Sequence, residues 1–179
     1  MKSETECAVV ELCHVVRDMD AAIAHWIEFM GAGPFFVFDV DEPDSVQYRG
    51  QLVDSAIKIG FAFSGDLLIE LIAPLRDTPS VFKEVLDSRG EGYHHVMLGM
   101  DYQQGWDKLS AAGFEPAWQG QLADGARYVL FDTLEANGGF TELMERTPGF
   151  HHLMGAMRDA HLNWDRTSDP VRSLAQIAG

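Results

Sequence analysis

Hydrophobic and polar positions along the chain switch repeatedly between a period of two and a period of about 3.6, the signatures of strands and helices. Residues 8–16 read as a strand. Asp18 or Asp20 then stands at a helix N-terminus, Ala21, Ile23, Ala24, Ile27 and Met30 form an apolar stripe, and Gly31 is placed to end the helix. The same order returns downstream, with a strand at 95–100, a capping position at Asp101, apolar Trp106, Leu109 and Ala112, and a closing Gly113. The intervals match: 20 residues separate Glu11 from Gly31, and 18 separate His95 from Gly113. Further strands are predicted at 33–40, 55–63, 115–119 and 127–131. Each half then ends in a strand entered from a glycine turn, Gly65-Asp66 before Leu67 and Asn137-Gly138-Gly139 before Phe140.

Each half therefore reads β-α-β-β-β, an α+β arrangement of two tandem modules over about 8–75 and 93–147, joined by a linker at 76–92 that contains a short helix near 80–86. Residues 1–147 form one domain in this reading. Residues 39–50, with Asp39, Asp41, Glu42, Pro43 and Asp44, read as a solvated acidic loop; they lack the glycine and terminal glutamate of a calcium loop. Residues 148–179 are a helical extension in which Phe150, Leu153, Met154, Met157, His161 and Trp164 fall at helical spacing, and Asp169-Pro170 opens a further short segment. The stripe needs cover from the chain's own body or from a second subunit, and a symmetric homodimer is expected. His151, His152 and His161 read as surface histidines of this helix.

Composition narrows the function. With 46% hydrophobic and 11% aromatic residues, the 179-residue chain can bury a substantial core. Its 13 Lys and Arg against 28 Asp and Glu leave a net charge of −15, which argues against nucleic acid or an anionic membrane as a partner. No apolar run approaches the roughly 20 residues of a membrane span, and the N-terminus lacks a secretory apolar region, so a cytoplasmic location is expected. The two cysteines, Cys7 and Cys13, fit a reducing compartment. They read as small strand thiols rather than as a zinc site with His14.

The chemistry lies in three glutamates that interrupt apolar strands: Glu11 within Val9-Val10-Glu11-Leu12, Glu70 within Leu68-Ile69-Glu70-Leu71, and Glu142 beside Phe140, Leu143 and Met144. Burying an ionised carboxylate without a partner costs several kcal/mol or more, and a shared bound cation offsets that cost most simply. His95, ahead of Val96-Met97-Leu98, has a similar setting. The adjacent His94 should point to the opposite face and pack behind it.

The phrases Val16-Arg17-Asp18-Met19-Asp20-Ala21-Ala22, Gly31-Ala32-Gly33-Pro34-Phe35-Phe36, Ile69-Glu70-Leu71-Ile72-Ala73-Pro74, Gly92-Tyr93-His94-His95-Val96 and Thr141-Glu142-Leu143-Met144-Glu145 resemble the vicinal oxygen chelate superfamily across residues 8–147. Glyoxalase I and methylmalonyl-CoA epimerase are among its isomerases. The resemblance implies that each module curls into half of an open barrel, and that metal ligands lie on the first and last strand of each half. Those positions are Glu11, Glu70, His95 and Glu142 here. The first is usually histidine, sometimes glutamine, seven residues before the helix-opening aspartate; counting back from Asp18 gives glutamate. His14 is the alternative fourth ligand, provided a bulge reverses its face.

The implied cofactor is a divalent ion, with the carboxylate-rich set favouring Mn, Fe, Co or Mg over Zn, and Ni also open. The expected function is a metal-dependent isomerase, epimerase or lyase that chelates two oxygens of a small metabolite and passes through an enolate-like intermediate, with Glu70 and Glu142 as the proton-transferring carboxylates. Tyr48, Arg49 and Arg127 are expected substrate contacts. Two other classes stand beside this one. An extradiol-type dioxygenase uses two histidines and one carboxylate, which Glu11 disfavours; a metal-free binding protein of the bleomycin-resistance type generally loses the ligand set.

Overall fold

The computed structural model describes residues 7–177, with residues 42–45 described in backbone only. The first module runs β1 (Val9–Val15), α1 (Met19–Met30), β2 (Phe35–Tyr48), β3 (Gln51–Ser64) and β4 (Leu67–Pro74). After α2 (Val81–Arg89), the second runs β5 (Gly92–Leu98), α3 (Tyr102–Ala111), β6 (Pro116–Gln121), β7 (Arg127–Phe131), the single-turn α4 (Leu134–Asn137) and β8 (Phe140–Met144). Then come α5 (Pro148–Leu162), β9 (Val171–Arg172) and a 3-10 turn at Leu174–Gln176. Asp18, not Asp20, caps α1, its carboxylate accepting from the Ala21 amide, and Gly31 ends the helix at φ 65.

The strand order is β3-β4-β1-β5-β8-β7-β6-β2-β9, and β2 also pairs with β3. Eight strands thus close into a barrel, where the sequence implied an open half-barrel. Two seams join the modules. One is the antiparallel β1–β5 pair; the other is the short contact of Gln47 with Gln119 and Tyr48 with Trp118. The second seam exists because residues 39–48 are strand rather than acidic loop. Val46 is fully buried, while Asp39 and Asp41 turn outward to Lys58 and Arg76. A register skip between Glu42 and Val46 accommodates Pro43, which cannot donate to the ladder. The β2–β3 hairpin then turns through Arg49 and Gly50, both at positive φ, as a two-residue connection requires.

α1 packs Met19 and Ile23 on the outside of β4 with Ile69 and Leu71, and α3 covers β8 and β7 through Leu143 and Phe131. The barrel interior is stoppered. Val81, Phe82, Val85 and Leu86 of α2 join the interior cluster around Val15, Ile72 and Trp118, while Met157 of α5 joins Phe36, Phe63 and Leu68. Among the described residues, no helix is long and apolar enough to cross a membrane.

His161 departs from its expected surface position. It is buried, and its Nδ1 lies 2.6 Å from the Gly33 carbonyl oxygen. Next to it Trp164 packs so closely on Gly33 that a Cβ there would overlap the indole, and Trp164 Nε1 donates to the Ser168 carbonyl at 2.6 Å. His151 and His152 are exposed, as expected. If these contacts fasten the extension to the barrel, Trp164→Ala removes a buried indole and should lower stability by about 3 kcal/mol, measured by urea denaturation. A change within about 0.5 kcal/mol would show the extension to be loosely attached.

Candidate metal centre

Strand register brings the four predicted residues together. On the β1–β5 seam Cys13 faces His95, and on the parallel β1–β4 side it faces Glu70. Two residues earlier Glu11 faces Met97, which in turn faces Glu142 on β8. Burial along β1 alternates so that Glu11, Cys13 and Val15 are inside. The His95 Nε2 atom lies 3.5 Å from a Glu11 oxygen, 3.2 Å from a Glu70 oxygen and 3.1 Å from a Glu142 oxygen. One ligand atom from each of the four residues falls within 4.8 Å of all the others. All four residues are buried.

Such a cluster needs a counter-charge. At an effective dielectric of about 20, two ionised carboxylates 4.8 Å apart repel by roughly 3.5 kcal/mol, and three carboxylates make three such pairs. Burial, reinforced by the Glu70 charge, pushes Glu11 well above the usual carboxylate range. Burial also raises Glu142, against the pull of His95. For His95, burial opposes protonation, but the polar groups around it, Glu11 and Glu142 among them, outweigh it and raise the imidazole well above its usual range. The cluster therefore holds protons or a cation.

The donors fit a divalent cation. Despite three carboxylate oxygens within 3.5 Å, His95 Nε2 makes no hydrogen bond of acceptable geometry, nor does Glu11 Oε1. Buried polar atoms are rarely left so, and both are aimed at the space the four residues share. Three carboxylates and one imidazole are a hard, oxygen-rich set suited to Mn, Fe, Co or Mg and compatible with Zn.

His94 departs from simple alternation. Because Cys13 faces His95 and His14 faces Tyr93, one extra residue sits in β5 at this point. This bulge turns both histidine rings into the barrel. His94 Nδ1 lies 2.8 Å from His95 Nδ1, and the His94 ring stacks on Phe82 and lies 5.1 Å from Phe140. One of the two Nδ1 atoms carries the shared proton. If His95 Nε2 is a ligand, His95 Nδ1–H donates and His94 accepts, so that His94 takes its own proton on Nε2. That Nε2 meets no partner at good geometry, and burial, reinforced by His95, pushes the His94 imidazole well below its usual range, so the ring stays neutral. Cys13 also approaches the two histidines, but burial raises its thiol, which keeps it protonated and a poor ligand.

The other sequence candidates lie elsewhere. His14 is on the helix side of β1, 5.2 Å from the Trp26 ring, so Glu11 and not His14 completes the cluster. Cys7 is exposed and away from Cys13's neighbours. Tyr48 and Arg49 are bound to Glu84, and Arg49 also reaches Asp132 at 2.8 Å. Arg127 pairs with Glu145 across the β7–β8 ladder. The structure brings none of these three expected substrate contacts to the cluster. A cavity of about 250 Å³ opens in front of Glu70, His95 and Glu142 instead, and Tyr48, Arg49 and Arg127 do not line it. Its walls include Phe38, Phe61 and Trp118, aromatic residues legible in the sequence, and Phe150, Leu153 and Met154 of α5, which the sequence placed only on a helix in need of cover.

A family model of the Glyoxalase/Bleomycin resistance protein/Dioxygenase superfamily matches residues 11–131. Among solved structures, methylmalonyl-CoA epimerase from Mycobacterium tuberculosis is similar at a TM-score of 0.57 and 19% identity, over 84% of this chain and 96% of that one. A hypothetical protein from Bacillus halodurans C-125 is similar at 0.58 and 19% identity, over 80% of this chain and 96% of that one. A variant of Streptomyces coelicolor methylmalonyl-CoA epimerase in complex with 2-nitronate-propionyl-CoA is similar at 0.53 and 20% identity, over 76% and 94%. At such identities the likeness is one of fold. No curated protein matches the chain. The matched family model covers the first module and the second as far as Phe131, taking in Glu11, Glu70 and His95, and the chain belongs to the Glyoxalase/Bleomycin resistance protein/Dioxygenase superfamily.

Proposed function

We propose that the protein is a divalent-metal-dependent isomerase, epimerase or lyase, acting on a small metabolite that offers two neighbouring oxygens and passes through an enolate-like intermediate. The observation that carries this reading is the convergence of Glu11, Glu70 and Glu142 on an imidazole nitrogen that has no hydrogen bond. These four residues would hold the ion. When bound, the ion supplies Lewis-acid stabilisation of negative charge developing on the substrate.

The carboxylates divide the remaining work. Glu70 and Glu142 line the cavity, whereas Glu11 does not, so the first two are the groups within reach of a substrate proton. The strand order β4-β1-β5-β8 sets them on opposite flanks of Glu11 and His95. That placement suits removal of a proton from one side of a carbon and its return from the other. In the metal-free cluster, burial holds a proton on Glu142 more firmly than on an exposed carboxylate. The apolar walls keep bulk water from the exchanging proton. The methylmalonyl-CoA epimerases among the relatives of this fold support a proton-transfer chemistry over oxygenation.

Elemental analysis of protein purified without chelator or affinity nickel should find about one equivalent of divalent metal per chain. Glu70→Gln and His95→Ala should each weaken metal binding on the order of tenfold or more. Metal-free wild type that takes up none of these ions would refute the reading.

The pH dependence has a definite sign. In the metal-free fold, raised Glu11 and Glu142 favour the protonated cluster. Their contribution to stability is present below the unfolded carboxylate value and is lost as pH rises through their native values. Metal binding displaces those protons, so the rise in Tm on adding metal should be larger at about pH 8 than at about pH 5, as scanning calorimetry would show. An equal rise at both would mean that the ion binds elsewhere.

A further inference from the structure

The cavity before Glu70, His95 and Glu142 has an unusual wall for a site that handles oxygenated metabolites. Apart from those three residues, only Trp118 and Tyr128 among its lining side chains carry a nitrogen or oxygen atom. No Lys or Arg among the described residues lines it. Arg49 and Arg127, the cations the sequence offered for an anionic substrate, are committed to Glu84, Asp132 and Glu145 outside it.

The apolar lining also continues onto two helices. Phe82 of α2 contributes to it, as do Phe150, Leu153 and Met154 of α5, with Leu174. α5 is fastened beyond the cavity by His161 on Gly33, by Trp164 packed on Gly33, and by Arg166 donating to the Gly31 carbonyl at 2.9 Å. These contacts make the apolar face of α5 a fixed part of the pocket. At about 250 Å³ the cavity lies just below the roughly 300–1,000 Å³ of ordinary ligand pockets, which suits a small molecule.

We infer that the substrate is a compact molecule without a charged tail, presenting two adjacent oxygens to the carboxylate–imidazole cluster and burying an aromatic or branched aliphatic body against Phe38, Phe61, Trp118 and Leu153. The inference rests on the chelating role proposed above and adds the substrate class. A coenzyme A thioester does not meet this description. The cavity offers its phosphates no cation, and the net charge of −15 opposes an anionic tail.

Hydroxamates chelate through two neighbouring oxygens and serve as probes on protein carrying one manganese(II) per chain. Isothermal titration should find benzohydroxamate bound on the order of tenfold or more tighter than acetohydroxamate, because only the former fills the apolar space. A carboxylate at the para position of the ring should abolish that gain. Leu153→Trp, which narrows the pocket, should weaken benzohydroxamate while leaving acetohydroxamate bound. Equal affinity for the two hydroxamates, undiminished binding of the para-carboxylate in wild type, or displacement of benzohydroxamate by acetyl-CoA would overturn the substrate class while leaving the chelating role intact. Failure of both hydroxamates to show metal-dependent binding would instead overturn the chelating role, and the substrate class with it.

Discussion

Negative charge confined without solvent is the constraint around which this molecule is arranged. Three carboxylates and one imidazole occupy the middle of a barrel whose other interior contacts are almost all hydrocarbon. Repulsion of roughly 3.5 kcal/mol for each of three ionised pairs adds up to about the whole stability of an ordinary domain. A core containing Glu11, Glu70 and Glu142 is consistent with a folded protein only if the cluster takes up positive charge as it forms. A bound divalent ion would supply it compactly, and protons shared with His95 would supply it in the ion's absence.

The fold meets the geometric side of this constraint through one seam. Cys13, small and buried, occupies the place where β1 faces both β4 and β5, leaving room for Glu70 and His95 to approach from either side. The bulge at His94 serves the same end. It sets a second imidazole behind the first, so that the orientation and tautomer of His95 are governed by a neighbour held between Phe82 and Phe140. The other seam, through Gln47 and Tyr48, is short by comparison and brings Trp118 into the cavity wall.

Charge is distributed with the same economy elsewhere. The basic residues of an acidic chain are spent on the outside: Arg49 ties the β2–β3 hairpin turn to α2 and the β7 exit, Arg127 spans β7 and β8, and Arg158 bonds Asp66 at the β3–β4 turn. These exposed pairs each contribute little to stability. Their effect is to keep cations away from the pocket, which is left to apolar side chains from both modules and from the C-terminal helix.

Much of this was legible in the residues themselves. Glutamates inside runs such as Leu67-Leu68-Ile69-Glu70-Leu71-Ile72 are costly enough to advertise a shared site, and strand alternation placed Glu11 inward and His14 outward without coordinates. The repeated β-α-β-β-β order followed from periodicity and helix-ending glycines, both local properties. What local pattern did not contain was settled by packing. The acidic stretch 39–48 became a strand because Val46 gained a buried place and the outward acids gained Lys58 and Arg76 as partners, a balance visible only when both strands are present. His94 turned inward through a one-residue register shift, and His161 was buried by a carbonyl 128 residues away. Tyr48, Arg49 and Arg127 looked available because their acidic partners are distant in sequence or on another strand. The sequence by itself determined which side chains had to be buried and which of them were charged. The tertiary structure alone decided where they meet, because register, closure and long-range ion pairing depend on contacts between segments that no local window holds together.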